Sequence, residues 1–145
     1  FNFLIKMTRD REISQDITQE VFYKVIRYRT SYKKGKFSSW IYTIARNIFA
    51  DYYQSQKNKD ERFENIAYKT EQKEQDYIES KETKEALQRA LNQLNQTDKE
   101  LVIMHRYQGI KYHEIAEITG STEGAVKTKV HRAIHKLKKI YLQNI

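Results

Sequence analysis

One run near the C-terminus carries much of the chain's capacity for recognition. Glu123, Gly124, Lys127, Thr128, His131, Arg132 and His135 recur at spacings of three and four, with Lys129 beside them. That spacing puts them on one face of a helix. Cations there suit phosphates, and Lys, Arg and Thr side chains can reach base edges in a duplex groove. His131 and His135 stand at i and i+4, a spacing zinc sites use. No third ligand is in register, so no metal is expected. A second set lies upstream: Tyr42, Tyr52 and Tyr53 among Arg46, Asn47, Asp51, Gln54 and Lys57. Aromatic faces stack on unpaired bases, amides read their edges and cations hold the backbone, which suits single-stranded nucleic acid. The competing reading makes Trp40, Tyr42 and Tyr52 core or boundary aromatics, and Trp40 is expected in the core on either reading. A third set, Asp16, Gln19, Glu20 and Lys24, forms an acidic, amide-bearing flank of another helix.

What is missing narrows the chemistry. The chain has no Cys and only four His, none in an HExxH-type pair, which excludes thiol catalysis and leaves little for zinc. No nucleophile–base set stands out, so neither an enzyme nor a cofactor is expected. Across 145 residues there is no Pro, and Gly occurs four times. A β-rich fold would spend more of both on turns. No apolar run approaches the roughly 20 residues a spanning helix needs. The composition predicts a cytoplasmic, all-α protein without membrane insertion. Its formal charge of +8 suits a polyanionic partner.

The charge is uneven. Residues 1–57 carry a net +6, residues 58–100 a net −3 and residues 101–145 a net +5. Two basic blocks therefore flank an acidic, polar middle. Residues 58–82 hold few large apolar side chains and read as a flexible linker, with a solvated helix as the alternative. This leaves two small helical domains, 1–57 and 83–145. The first residue is Phe1, so the chain is expected to be part of a longer one, with Phe1–Met7 the tail of a helix.

Helical periodicity supplies the elements. Ile13, Ile17, Val21, Phe22, Val25 and Ile26 form one stripe over 12–28, with Ser14 expected as N-cap. A turn around Gly35 leads to a second helix capped by Ser38, with Trp40, Ile41, Ile44, Ala45, Ile48, Phe49 and Tyr52 inward. In the C-terminal block, Ala86, Leu87, Ala90, Leu91 and Leu94 form a stripe. Thr97 and Glu100 have the spacing of a capping box for the next helix. A short helix over 112–119 ends at Gly120, suited to a left-handed closing position. Ser121 or Thr122 then caps a last helix burying Ala125, Val126, Val130, Ala133, Ile134, Leu137 and Tyr141. Short helix, Gly turn and longer basic helix together read as a helix-turn-helix.

With these motifs in view, the chain resembles a bacterial RNA polymerase sigma factor of the extracytoplasmic-function (ECF) group, in the sigma-70 family. Residues 16–22 (DITQEVF) are similar to the family's core-binding segment. Residues 37–47 (FSSWIYTIARN) resemble the region that melts and reads the −10 element. Residues 112–139 resemble the −35-binding region. The resemblance implies that Asp16, Gln19 and Glu20 engage the basic coiled-coil clamp of the polymerase β′ subunit, and that Phe22 and Lys24 also meet core polymerase. It implies that Tyr42, Arg46, Asn47 and Asp51 serve the −10 strand. Glu123, Gly124, Lys127, Thr128, Lys129, His131 and Arg132 would serve −35 DNA. It also implies contact with the β flap and an anti-sigma partner. The family often has Thr at the place of Ala125, and Arg at those of Lys127 and Lys129. Lys reads guanine less rigidly than Arg's fork. A helix-turn-helix regulator acting on duplex DNA alone is the alternative, and it leaves the 16–22 patch without a role.

Overall fold

The computed structural model describes residues 1–33, 35–60 and 78–143. Every regular element among them is helical: α1 (Asn2–Thr8), α2 (Arg11–Arg27), a 3₁₀ turn (Arg29–Ser31), α3 (Phe37–Asp60), α4 (Ile78–Gln93), α5 (Gln96–Val102), a π-turn (Ile103–Tyr107), α6 (Tyr112–Thr119) and α7 (Glu123–Gln143). The chain divides into two compact units, Phe1–Glu71 and Gln72–Ile145. The expected linker is shorter at both ends, because α3 runs to Asp60 and α4 starts at Ile78. Its remainder, residues 61–77, lies outside the described residues.

In the first unit, α1 closes on Arg9, a left-handed residue at φ 58° whose N–H reaches the Ile5 carbonyl at 2.8 Å. The chain restarts at once. Asp10 is extended and its carboxylate accepts from the Ile13 N–H at 3.0 Å. Asp10, not Ser14, is therefore the N-cap of α2. Ser14 is fully buried. Its hydroxyl donates to the Asp10 carbonyl at 2.6 Å and lies 2.7 Å from the Thr8 hydroxyl. A buried hydroxyl needs such partners, and these tie the α1–α2 corner together.

The core of this unit gathers Phe3, Leu4 and Met7 from α1, Ile17 and Val21 from α2, and Ala45, Ile48 and Phe49 from α3. The buried stripe of α2 is narrower than its apolar periodicity predicts. Phe22 and Ile26 point outward, at 59% and 66% exposure. Each residue turns a helix by about 100°, so Phe22 sits more than a quarter-turn off the line through Ile17 and Val21. Helix α3 begins at Phe37, so Ser38 lies inside its first turn instead of capping it. Trp40 is only half-buried, packed with Tyr32 and Phe37 at centroid distances of 5.2 and 5.8 Å. Beside the core, Tyr42 meets Phe3 edge-on at 5.7 Å, a preferred arrangement for aromatic pairs.

In the second unit, α7 packs against α4, α5 and α6. Leu91 from α4 and Leu94 just after it meet Val102 from α5 and Ala133 from α7, flanked by half-buried Ile134, Leu137 and Ile140. Ile103, Met104, Ile115, Val126 and Val130 are also buried. Each such large side chain contributes about 1.5–3 kcal/mol on leaving water. Asn95 caps α5, its side chain accepting from the Asp98 N–H at 2.8 Å. The cap thus lies two residues before Thr97, and Glu100 is buried within the helix. A salt bridge of 2.9 Å joins Lys136 to Asp98 across α7 and α5.

The helix-turn-helix agrees closely with the sequence pattern. Gly120 has φ 67° and ψ 32°, closing α6 in the left-handed region. A Cβ added there meets nothing within 4 Å, so backbone conformation and not space selects glycine. The Thr122 hydroxyl accepts from the Ala125 N–H at 3.2 Å, capping α7.

Candidate functional site

Helix α7 presents its two faces cleanly. Val126, Val130 and Ala133 are buried, while Glu123, Gly124, Lys127, Thr128, His131, Arg132 and His135 are all exposed. Lys129 is exposed on the flank. The Thr128 hydroxyl donates to the Gly124 carbonyl at 3.1 Å, which fixes its rotamer on the stripe. Since α6 and the Gly120 turn set the start of α7, the outward residues of its first turns project clear of the unit. That is the geometry by which a recognition helix enters a major groove.

Next to this stripe lies a set of rings that periodicity alone did not single out. His105, in the π-turn, stacks on Tyr112 at 4.4 Å and 15°. Tyr112, at the start of α6, stands 6.5 Å from His131. His113 approaches Glu114 at 3.9 Å. Among the described residues no group of three His, Asp or Glu side chains is placed to hold a metal.

On α2, Asp16, Gln19 and Glu20 are exposed and Lys24 is half-buried, with its amine 3.7 Å from the Glu20 carboxylate. Between α2 and α3 runs a groove of about 380 Å³. Its lining includes Ile17 and Ile48 and the carboxylates of Asp16, Glu20 and Asp51. Asp51 therefore shares a groove with two of the residues expected at the polymerase. Phe22, Tyr23 and Ile26 add an exposed apolar surface to α2.

The residues expected on the −10 strand are spread across α3. Asn47 is exposed, Arg46 is half-buried and Tyr42 is half-buried against Phe3. Burial pushes the Tyr42 hydroxyl above its ordinary pKa, keeping it a neutral phenol. The sequence reading gave Tyr32 no role and named Phe37 only as the start of the 37–47 motif; both complete a ring cluster with Trp40, in a stretch of chain that also carries Arg27, Arg29 and Lys33. Arg27 also lies over the Tyr28 ring at 5.6 Å. The signal was present as aromatic and basic residues interleaved over 27–40, hidden because Tyr32 fell in the stretch read as a turn around Gly35. No helix among the described residues is long and apolar enough to cross a membrane.

Known proteins repeat this organisation. Residues 1–59 match the family described as Sigma-70 region 2, and residues 84–137 match Sigma-70, region 4. The chain is 29% identical over 143 residues to the RNA polymerase sigma factor YlaC of Bacillus subtilis (strain 168), covering 95% of this chain and 83% of that one. It is 26% identical over 149 residues to the ECF RNA polymerase sigma factor SigM of the same organism, covering 100% of this chain and 90% of that one. Its fold is similar, at a TM-score of 0.74 and 23% identity, to a co-crystal structure of the sigma factor RpoE in complex with the anti-sigma factor NepR from Bartonella quintana, covering 96% and 87% of the two chains. With both family regions matched in order on two helical units, and with ECF sigma factors among its relatives, the chain belongs to the sigma-70 family of RNA polymerase sigma factors, in its ECF group.

Proposed function

We propose how this sigma factor, which binds core RNA polymerase and directs promoter recognition and melting, divides that work among its residues. The outward stripe of α7 reads −35 DNA. Helix α3 and the ring cluster before it hold the displaced −10 strand. The α2 face docks on core polymerase. The observation that carries the reading is the α7 stripe, held behind a left-handed Gly120 and a Thr122 cap in a chain that also carries a region 2 unit. RNA synthesis itself belongs to the polymerase, and this chain acts in the cytoplasm without catalysis of its own. The two working domains are the helical units ending with α3 and beginning with α4, which reach to Asp60 and from Ile78 on either side of the join.

Asp51 is reassigned within this scheme. A carboxylate beside Asp16 and Glu20 repels DNA phosphates and favours a basic clamp. The exposed Phe22, Tyr23 and Ile26 suit a protein partner, core polymerase in the active state and an anti-sigma factor in the restrained one. Run-off transcription with core polymerase and genomic promoter fragments tests the whole reading. Discrete transcripts dependent on this chain are expected, and their absence on every fragment rejects it.

Asn47 is exposed and its amide can pair with an unpaired base. Asn47→Ala is expected to reduce open-complex formation while binding to the −35 duplex stays unchanged. Permanganate footprinting and duplex binding separate the two, and equal losses in both indicate a folding defect instead.

Lys127 and Arg132 lie five residues apart, about 140° around α7, at opposite edges of the exposed stripe. Lys127→Ala is expected to cost about 1–3 kcal/mol and to relax preference at one base pair. Arg132→Ala is expected to weaken all sequences alike and to lower the salt slope by roughly one unit, the signature of a phosphate contact. Salt-titrated binding to a set of −35 variants reads both. If neither substitution changes affinity or slope, α7 is not the DNA-reading helix.

A further inference from the structure

We infer that Tyr112 is a positioning residue for His131 on the −35 helix, with His105 as its backing. The inference rests on the assignment of α7 to −35 DNA. His131 is an exposed side chain in the middle of the outward stripe. Such a side chain on a bare helix samples several rotamers and loses that freedom when it meets DNA. Here one side of it is walled. The Tyr112 ring stands 6.5 Å away at an angle of 41°, within the range at which aromatic rings attract.

The wall is itself held. Tyr112 is half-buried and stacks nearly parallel on His105 at 4.4 Å. His105 is anchored in turn, with its Nδ1 3.3 Å from the Ile110 carbonyl oxygen. A carbonyl only accepts, so the Nδ1–H tautomer satisfies this contact. The Ile110 N–H reaches back to the Met104 carbonyl at 3.0 Å, and Met104 and Ile110 are both buried. The order is thus a core-anchored turn, an imidazole, a phenol ring and the DNA-facing imidazole. No other residue of the outward stripe has a ring contact of this kind among the described residues. The arrangement narrows where His131 can present its ring before DNA arrives, so a contact from it costs less ordering.

The test uses the holoenzyme formed with core polymerase, on a promoter fragment obtained from the run-off screen. Tyr112→Leu is expected to weaken binding roughly threefold to tenfold, within the range of coupling between neighbouring residues. Tyr112→Phe keeps the ring and is expected to bind within about twofold of the natural protein, on the same scale. In a His131→Ala background, Tyr112→Leu is expected to add no further loss. A purely structural role predicts the opposite, an equal loss in both backgrounds, and that result overturns the inference. His105→Ala leaves Tyr112 in place and is expected to show the same dependence on His131, which guards against a Tyr112→Leu protein that folds poorly. Arg132→Ala separates the two levels. If it weakens binding and Tyr112→Leu does not, this inference fails alone. If neither has an effect, the assignment of α7 fails and takes the inference with it.

Discussion

With Asp16 and Glu20 both changed to lysine, affinity for core polymerase is expected to fall by about 30- to 700-fold, corresponding to roughly 2–4 kcal/mol. Three carboxylates, Asp16, Glu20 and Asp51, line the α2–α3 groove. The double change gives that groove two cations and leaves Asp51 as its one acid among the three. It also removes the Glu20–Lys24 pair. A basic clamp then meets like charge where it met opposite charge. The two sites are one helical turn apart and share a partner, so their effects should not simply add. Both side chains are exposed, and surface substitutions seldom disturb folding by more than about 0.5 kcal/mol. Circular dichroism of the variant should therefore match the natural protein. Fluorescence anisotropy of labelled chain titrated with core polymerase reads the affinity. An unchanged value removes α2 from the polymerase interface.

Leu91→Ala is expected to lower the stability of the C-terminal unit by about 2–5 kcal/mol. Leu91 is 0% exposed and meets Leu94, Val102 and Ala133. Truncation removes apolar surface from this cluster and leaves a cavity between α4, α5 and α7 that rigid helices cannot fill. A loss of that size is a large share of the stability of a small unit. Binding to −35 DNA should fall with it, because α7 takes its position from this packing. Leu142→Ala is the control: Leu142 is 59% exposed and its truncation should change stability by no more than about 0.5 kcal/mol. Urea unfolding of the full chain, monitored by far-ultraviolet circular dichroism, distinguishes the two. Equal midpoints for both variants would show that the Leu91 cluster does not hold the unit together.

The parts of this fold that were legible in the sequence are those decided by local chemistry. Gly120 and Thr122 each face one conformational demand, and each meets it where the pattern placed it. The α7 stripe was legible because a 3.6-residue period separates Val126, Val130 and Ala133 from Lys127, His131 and Arg132. Caps were harder. Asp10 and Ser14 are both good N-cap residues, as are Asn95 and Thr97. Only the turn of the preceding chain decides which one starts the helix. Ser14 lost that place to a buried bond with Thr8, a residue of another helix. Phe22 and Ile26 were misplaced because periodicity gives the direction of an apolar stripe but not how much of it a three-helix unit covers. Trp40 went to a half-exposed ring cluster whose other members, Tyr32 and Phe37, come from the turn and the first residue of α3. Tyr112 and His105 came together only through the π-turn, which no residue type announces.

That turn has a consequence for how the gene can change. Its hydrogen bond from the Gln108 N–H to the Ile103 carbonyl, at 3.0 Å, spans five residues where an α-turn spans four. The turn is therefore one residue wider than a turn of α-helix. A one-codon deletion here would close the turn by one residue and pull His105 off Tyr112, which it stacks on at 4.4 Å. The same deletion inside α7 would rotate every later side chain by about 100° and draw it back by about 1.5 Å. Arg132 and His135 would leave the DNA-facing stripe, and Ala133 would leave the core. The segment Ile103–Tyr107 thus fixes its own length: the reading frame of side chains, as distinct from that of codons, sets Ile103 and Met104 in the core and His105 against Tyr112.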